Sequence, residues 1–435
     1  MGNGIALEWV NHASFVLDYD GVRLISDPWL EGKVFNNGWS LLSDTVFGYP
    51  DFQNITHIWF SHEHPDHFFP PNLKAIPSAI RRSIPILYQR TKDRKVAKFC
   101  KGLGFKEIIE LQPSRWLALS SSLSVLCRPV PDDDSWMALK TDRGTILNIN
   151  DCVIDTTVKA QAIAEVVGPV NVLMTQFSYA QWAGNPEDRE SRHKEAREKL
   201  VRIAIQAGVF KPQYVIPFAS FVWFSHEENF YLNDTMNDAE GVARFIEDEL
   251  GCKPVVLYPG DRWEVGSAHD WRPAAARYRQ DFEARMRGGP ITMARPVAYG
   301  EIEAASRSFL DRLGRKNRLL RYVPLPSTCV KLLDLNLSVL ITSRGLRRVD
   351  DQHPIDISMN AESLLYCLRF DWGANTLHVN GRFRSAHGNS YQKFFRFFRI
   401  ADDNNHGRRL DPGWIAAKLI NRGSRAVSHA LGRAR

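Results

Sequence analysis

The six cysteines of this 435-residue chain are scattered singly. None forms a Cys-x-x-Cys pair, and none has a histidine two or three residues further on. Structural zinc sites, iron–sulfur clusters and disulfide frameworks use paired or closely spaced cysteines. The sequence therefore predicts none of these, and isolated cysteines are typical of proteins from a reducing compartment.

Long apolar runs and a basic, apolar leader are also absent. The longest apolar stretches, such as residues 215–218, are far shorter than the roughly 20 residues of a membrane-spanning helix. Residues 1–9 lack the features of a signal peptide. We therefore expect a cytoplasmic globular protein.

The net charge of +7 is concentrated at the C-terminal end, where residues 381–435 carry 12 Lys or Arg and three Asp. The remainder is close to neutral and shows no nucleic-acid recognition module, so no nucleic-acid partner is expected. Residues 411–435 combine basic and apolar side chains. This tail either makes peripheral contact with an anionic membrane surface or packs as a helix on its own protein.

The chain is too long for one ordinary domain. Strand and helix patterns alternate over residues 1–267, which we interpret as an α/β catalytic domain. An Ala- and Arg-rich helical linker is predicted over 268–294, an α+β accessory domain over 295–410 and the basic tail over 411–435.

Residues 62–67 read His-Glu-His-Pro-Asp-His and follow an apolar strand pattern. Histidines two residues apart on a loop can bind one metal ion together, and the Asp-His pair after the turn indicates a second ion nearby. Three histidines and an aspartate also fit a core poorly, because each needs a buried polar partner. The loop therefore predicts a two-metal site.

This loop resembles the metal-binding motif of the metallo-β-lactamase superfamily. The segments 12–15 (HASF), 24–28 (LISDP) and 148–151 (NIND) resemble its lactonase-like branch. Segments 61–67, 147–152, 175–178 and 217–219 resemble the superfamily domain of the CMP-N-acetylneuraminate hydroxylases and their bacterial relatives. The resemblance covers residues 5–266 and implies an αββα sandwich, whereas the cysteine–histidine pairs of the hydroxylases' Rieske domain are absent from this sequence.

The resemblance also implies roles for individual residues. His62 and His64 match ligands of the first metal, Asp66 and His67 match ligands of the second, and Asp151 matches the bridge between them. Asp27 matches an aspartate that orients a ligand histidine from behind. Alternatively, Asp27 only caps the turn at Pro28.

Two histidines that the superfamily normally supplies are missing from their expected places. For the first we predict Asp134 as the substitute, with Asp133 as the alternative, and for the second we predict His226. His12, Gln176 and Tyr179 are candidates for the pocket wall, although turn capping or core packing would also explain them. A carboxylate in place of an imidazole shifts the expected metal from zinc toward iron or manganese.

Two divalent metal ions bridged by Asp151 would hold a water molecule and lower its pKa. Asp66 would accept a proton or simply bind its metal. We therefore expect a hydrolase acting on an ester, thioester, lactone, amide or phosphodiester, with the esterase or thioesterase type favoured. The alternatives are a non-haem di-iron oxygenase or oxidase, and a binding protein without catalytic activity.

The accessory domain shows a helix pattern at 302–313 and strand patterns at 338–341, 355–359 and 376–379. It distantly resembles sterol-carrier-like domains, which implies a hydrophobic acyl substrate. A dimerisation or lid module is the equally weighted alternative, and the sequence specifies no oligomeric state.

Overall fold

The alternating apolar segments of the N-terminal part form the strands of two large sheets in the computed structural model. The structure describes residues 4–131, 134–323, 325–350 and 352–413. The chain divides into two compact units, residues 1–292 and 293–435. In the first unit the strands are β1 (Ala6–Asn11), β2 (Ser14–Tyr19), β3 (Val22–Ser26), β4 (Lys33–Val34), β5 (Trp39–Leu41), β6 (His57–Phe60), β7 (Ile86–Gln89), β8 (Ile108–Leu111), β9 (Leu117–Ala118), β10 (Leu123–Pro129), β11 (Ser135–Thr141), β12 (Gly144–Asn150), β13 (Val172–Gln176), β14 (Tyr214–Phe218), β15 (Val222–Phe224), β16 (Lys253–Pro254) and β17 (Arg262–Glu264). Its helices are α1 (Pro70–Ala75), α2 (Ser78–Arg81), α3 (Lys95–Gly102), α4 (Thr157–Val167), α5 (Arg189–Phe210), α6 (Ala239–Asp248) and α7 (Arg272–Gly288).

The two large sheets each have seven strands. The first has the order β17-β1-β2-β3-β6-β7-β8, and the second has the order β16-β14-β13-β12-β11-β10-β9. Each begins as antiparallel hairpins and continues as parallel strands, at β3-β6-β7-β8 and at β12-β13-β14-β16. A small third sheet has the order β15-β5-β4.

The two large sheets pack face to face, and helices cover their outer faces. Trp59 of β6 points into the core shared by both sheets, whereas its neighbours Ile58 and Phe60 point outward into a second apolar cluster with residues of α1 and α3. Likewise Ile146 of β12 points inward, and Leu147 points toward α4. The period-two alternation of strands thus produces the predicted αββα sandwich.

The carboxyl ends of the parallel strands meet at one edge of the sandwich. Three loops leave this edge directly, after β3, β6 and β12, and they carry Asp27, residues 61–67 and Asp151. Because parallel strands end at the same edge of a sheet, segments far apart in sequence come together there.

Several non-glycine residues have a left-handed backbone conformation, and four of them lie at the ends of strands at this edge of the sandwich. They are His12 (φ 41°), Asp27 (φ 37°), Asn150 (φ 60°) and Ala219 (φ 49°). The N–H of Ala219 donates to the carbonyl oxygen of His12 at 3.1 Å, which joins two of these positions. Such conformations cost on the order of 1 kcal/mol each and cluster at functional sites.

The segment predicted to be a linker contains α7, which packs on the core of the first unit. Ala274, Ala275 and Tyr278 of this helix are buried. The Tyr278 hydroxyl accepts a hydrogen bond from Trp9 Nε1 at 2.9 Å and donates to the carbonyl oxygen of Leu257 at 2.9 Å. The helix therefore contributes to the first unit.

In the described part of the second unit there are a five-stranded sheet and four α-helices. Its strands are β18 (Thr328–Leu332), β19 (Leu337–Thr342), β20 (Gly345–Val349), β21 (Ile357–Met359) and β22 (Arg384–Ser385), in the order β20-β19-β18-β21-β22. Its helices are α8 (Tyr299–Lys316), α9 (Ala361–Arg369), α10 (Gly373–Asn380) and α11 (Gln392–Asn405). The strand predicted at 376–379 is wrong, because these residues belong to α10. A four-residue apolar alternation fits either period, and Ala374 and Leu377 are buried at helical spacing.

Within the described ranges, no helix combines the length and the apolar character that crossing a membrane requires. The basic tail predicted for residues 411–435 lies outside the described residues from position 414 onward.

Candidate metal centre

The histidine-rich loop follows β6, and most of its polar side chains are buried at the edge of the sandwich. His62, Asp66 and His67 are buried, whereas His64 is half-buried. Glu63 points away from the other loop side chains and accepts a hydrogen bond from Lys95 Nζ at 2.7 Å. The other polar residues of the loop, His62, His64, Asp66 and His67, all belong to groups of potential metal ligands.

Two groups of three potential ligands meet at this point, each containing two histidines and one aspartate. The first consists of His62, His64 and Asp134, and the second consists of His12, Asp66 and His67. Within each group the ligand atoms lie within 4.8 Å of one another.

The distances inside the groups match the edges of metal coordination polyhedra. In the first group, His62 Nε2 lies 3.7 Å from Asp134 Oδ1. In the second, Asp66 Oδ2 lies 3.3 Å from both His12 Nε2 and His67 Nε2. Ligand atoms bound to one tetrahedral metal at about 2.1 Å are themselves about 3.4 Å apart.

Asp151 joins the two groups. Its Oδ2 lies 3.7 Å from His62 Nε2 in the first group and 3.7 Å from His67 Nε2 in the second. These three side chains also form a ligand group of their own. The aspartate after β12 thus stands where a carboxylate shared by two metal ions would stand.

Several polar atoms of this site have no hydrogen-bond partner among the described residues, and this observation tests whether a metal fits. Asp66 Oδ1, His67 Nε2 and Asp151 Oδ1 are buried and make no hydrogen bond to the described part of the chain. A buried carboxylate oxygen without a partner is costly. The donor set of nitrogen and oxygen atoms suits zinc, iron or manganese, so the residues fit the expected metals.

The charge states of three of the four histidines agree with ligand roles. Burial lowers the pKa of His12, His62 and His64, so these rings are neutral near pH 7. A histidine must be neutral to bind a metal. Burial also disfavours a proton on His67, but Asp66 and Asp151 more than compensate and raise the pKa of His67 well above its usual value.

The carboxylates remain anionic despite their burial. Burial acts to raise the pKa of Asp66, but His67 and His12 lower it well below its usual value. Burial acts in the same direction on Asp151, and there His62 and His67 lower the pKa. In the absence of metal, His67 is protonated, and its positive charge stabilises both carboxylates. A metal ion would replace that proton.

A hydrogen-bond network behind the loop fixes the orientation of its histidines. Asp27 Oδ1 accepts the Ser61 N–H at 2.7 Å, and Asp27 Oδ2 lies 3.0 Å from His67 Nδ1. Asn150 Nδ2 donates to Asp27 Oδ2 at 3.0 Å and to Ser61 Oγ at 2.7 Å. Since Asp27 holds the Nδ1 side of His67, the Nε2 side faces the other ligands, as expected of an orienting carboxylate.

Three of the predicted site residues have other surroundings. His226 is buried, its Nδ1 accepts the Glu228 N–H at 3.2 Å, and it belongs to none of the ligand groups that the described residues form. The Tyr179 hydroxyl contacts Leu232 and Thr235, which indicates a packing role. Gln176 accepts a hydrogen bond from Lys199. Asp133, the alternative to Asp134, lies outside the described residues.

The structure adds residues that the sequence reasoning did not assign. His12, expected only in the pocket wall or in a turn, joins Asp66 and His67 in a group of potential ligands. Ser61 and Asn150 complete the orienting network, and Lys199 lies buried beside Gln176. The burial of Lys199 could have been predicted from the sequence, because the residue falls at helical spacing between Ala196 and Ile203, which are both buried.

The sandwich of two mixed sheets, with a ligand cluster at the carboxyl ends of their parallel strands, defines the metallo-β-lactamase class of folds. Residues 6–112 match the family model described as Beta-lactamase superfamily domain. This segment of the first unit is therefore similar to the β-lactamase superfamily domain. The predicted fold class, an αββα sandwich, is confirmed by the order of the two sheets and their helices.

The chain is similar to the cytidine monophosphate-N-acetylneuraminic acid hydroxylase of Xenopus laevis, at 27% identity over 281 residues. The match covers 61% of this chain and 46% of the relative, so the chain spans about half the length of the curated relatives that it matches. The resemblance to this group of hydroxylases is thus confirmed.

Two solved structures are similar at low identity. CmlA, a diiron β-hydroxylase from Streptomyces venezuelae, is 16% identical with a TM-score of 0.42, over 61% of this chain and 55% of that chain. Igni18, a metallo hydrolase from the archaeon Ignicoccus hospitalis, is 14% identical with a TM-score of 0.40, over 61% of this chain and 99% of that chain.

Proposed function

We propose that the first unit is a dinuclear metal-dependent hydrolase that cleaves an ester or thioester bond, with lactones and phosphodiesters as related substrates. The observation that carries this proposal is the pair of ligand groups joined by Asp151. When bound, two divalent ions would supply an activated water molecule and polarise the carbonyl or phosphoryl group of the substrate.

The residues of this chain would have separate tasks in that reaction. His62, His64 and Asp134 would hold one ion, and His12, Asp66 and His67 would hold the other. Asp151 would keep the two ions at a fixed separation. Asp66 has one oxygen, Oδ1, without a hydrogen bond to the described residues, so it could accept a proton from the water.

The first test is the metal content of the purified protein beside that of the Asp151→Ala variant. We expect about two equivalents in the natural protein and the loss of at least one in the variant, because Asp151 would bind both ions. Asp155→Ala is the matched control. Asp155 lies four residues away, is half exposed and pairs with Lys159 at 2.7 Å.

Less than half an equivalent of any metal, unchanged by the Asp151 substitution, would contradict the proposal. If two equivalents of zinc are found, a panel of ester and thioester substrates follows. Activity on at least one member, abolished by Asp151→Ala and retained by Asp155→Ala, is the expected result.

A second candidate function is a non-haem di-iron oxygenase. The observation that favours it is the composition of the two ligand groups, since two histidines and one carboxylate are the set that binds Fe(II) in many oxygenases. The hydroxylase names of the relatives agree with this chemistry. Two equivalents of iron, visible absorption and O₂ consumption would establish it in place of the hydrolase.

A further inference from the structure

One buried charge near the metal centre has no task in the proposed reaction. Lys199 lies on α5 and is only 9% exposed. It shares the buried face of this helix with Ala196, Ile203 and Ala207. A lysine in such a stripe costs free energy unless its charge is used, because burial disfavours an ammonium group.

The contacts of α5 place Lys199 at the functional edge of the sandwich. Gln206, on the same helix face, accepts a hydrogen bond from Thr175 at 2.7 Å and donates to the carbonyl oxygen of Ile154 at 3.0 Å. Because α5 connects the parallel strands β13 and β14, its first turns lie toward their carboxyl ends. Lys199 precedes Gln206 by seven residues and is therefore about 10 Å nearer to that edge.

At this edge β13 lies next to β12, and Asn150 pairs in register with Thr175, so Asp151 and Gln176 follow at the ends of neighbouring strands. Lys199 contacts the end of β13. Its Nζ donates a hydrogen bond to Oε1 of Gln176, the last residue of β13. Burial lowers the pKa of Lys199 to about 8, and the electrostatic influence of Asp151 opposes this decrease. The amine is still mostly protonated at pH 7.

The hydrogen bonds of Lys199 differ from those of the other buried cation on α5. Arg192 donates to both carboxylate oxygens of Asp234, at 2.9 and 2.7 Å, and to two backbone carbonyl oxygens. Among the residues that the structure describes, Lys199 Nζ donates only to Gln176, and the Gln176 amide nitrogen donates to none. Arg192 is therefore satisfied by the fold, whereas the Lys199–Gln176 pair retains unused N–H donors.

We propose that Lys199 and Gln176 form an oxyanion-binding subsite beside the metal centre, which takes a carboxylate or phosphate group of the substrate. A protonated amine and an amide N–H both donate to oxyanions, and the charged donor makes the stronger bond. The subsite rests on the proposed function, because it would anchor an anionic substrate next to the two metal ions. It narrows the substrate class to molecules with an acidic group near the bond that is cleaved.

The test measures binding without turnover, by isothermal titration of the purified full-length protein with phenyl phosphate and with benzoate. The two probes share an aromatic ring and differ in the anion. We expect Lys199→Met to weaken binding of at least one probe by about tenfold or more, the size expected for a lost charged hydrogen bond. The probe that loses affinity identifies the anion that the subsite prefers.

Three further variants separate the subsite from a general effect on the fold. Lys199→Arg keeps the charge and should bind within about threefold of the natural protein. Gln176→Glu keeps the size of the side chain but neutralises Lys199, so it should weaken binding as Lys199→Met does. Lys194→Met removes a charge from the exposed face of the same helix, where the side chain is 72% exposed, and should change nothing.

Equal affinity of Lys199→Met and the natural protein for both probes, at equal metal content, would overturn the subsite. A loss of affinity in Lys194→Met as large as that in Lys199→Met would also overturn it. The two proposals fail separately, because weakened binding in Lys199→Met without any hydrolytic activity would leave the subsite standing and remove the hydrolase. Hydrolytic activity together with unchanged probe affinity in Lys199→Met would support the hydrolase and remove the subsite.

Discussion

The buried amine of Lys199 should destabilise the folded protein at neutral pH, and Lys199→Met should therefore stabilise it. The pKa of Lys199 falls from an ordinary value of 10.5 to about 8. Since one pKa unit corresponds to about 1.4 kcal/mol, the charged amine costs the folded state about 3 kcal/mol. Methionine keeps an unbranched side chain of similar length and removes the charge. It also loses the hydrogen bond to Gln176, worth about 1 kcal/mol, so a net gain of about 2 kcal/mol is expected.

The gain should depend on pH in a defined direction. Below about pH 8 the amine is protonated in both the folded and the unfolded chain, and the folded chain bears the full cost. Between about pH 8 and 10.5 the folded chain releases its proton first, so the stability of the natural protein rises with pH relative to that of the variant. The advantage of Lys199→Met should therefore shrink as the pH rises and vanish by about pH 10.

Urea unfolding of the natural protein, Lys199→Met and Lys194→Met at pH 7 and pH 10 measures this difference. All three proteins should be metal-free, because metal binding to the folded state adds its own stabilisation. Lys194→Met should behave as the natural protein at both values. A Lys199→Met variant that is less stable at pH 7, or whose advantage is the same at pH 7 and pH 10, would refute the reasoning.

Three other predictions concern single side chains. His12→Ala should reduce the metal content from two equivalents to about one, whereas His226→Ala should retain both; the opposite result in elemental analysis would favour the ligand set predicted from the sequence. Asp27→Ala should weaken metal binding about 10- to 100-fold in competition with a chelator, because His67 loses its orienting partner; unchanged affinity would argue for a capping role only. Tyr278→Phe should lower the free energy of unfolding by about 1–3 kcal/mol in urea titrations, because two buried hydrogen bonds are lost; an effect below about 0.5 kcal/mol would count against this.

Most of the candidate ligands could be predicted because they are neighbours in sequence. His62, His64, Asp66 and His67 occupy one six-residue loop, and a loop of that length has few ways to present its side chains. Asp134 was also predicted, since it immediately precedes β11, next to β12 in the second sheet. Asp151 directly follows β12, so its place at the sheet edge follows from the strand pattern.

For the missing ligand, the sequence and the structure point to different histidines. The sequence reasoning looked for it after β14 and selected His226, the nearest histidine along the chain. The structure instead brings His12 to Asp66, across 54 residues. His12 ends β1, and the order β1-β2-β3-β6 places the turn after β1 at the same edge as the histidine-rich loop. Strand order is a property of the whole sheet, and a local motif does not contain it.

The sequence by itself determined the class of fold and the chemistry of the loop, because strand alternation and ligand spacing act over a few residues. Only the tertiary structure decided that Asp151 lies between two ligand groups, that His12 completes one of them and that Lys199 meets Gln176. Each of these contacts joins different strands or helices, and their positions depend on how the two sheets and their helices pack together.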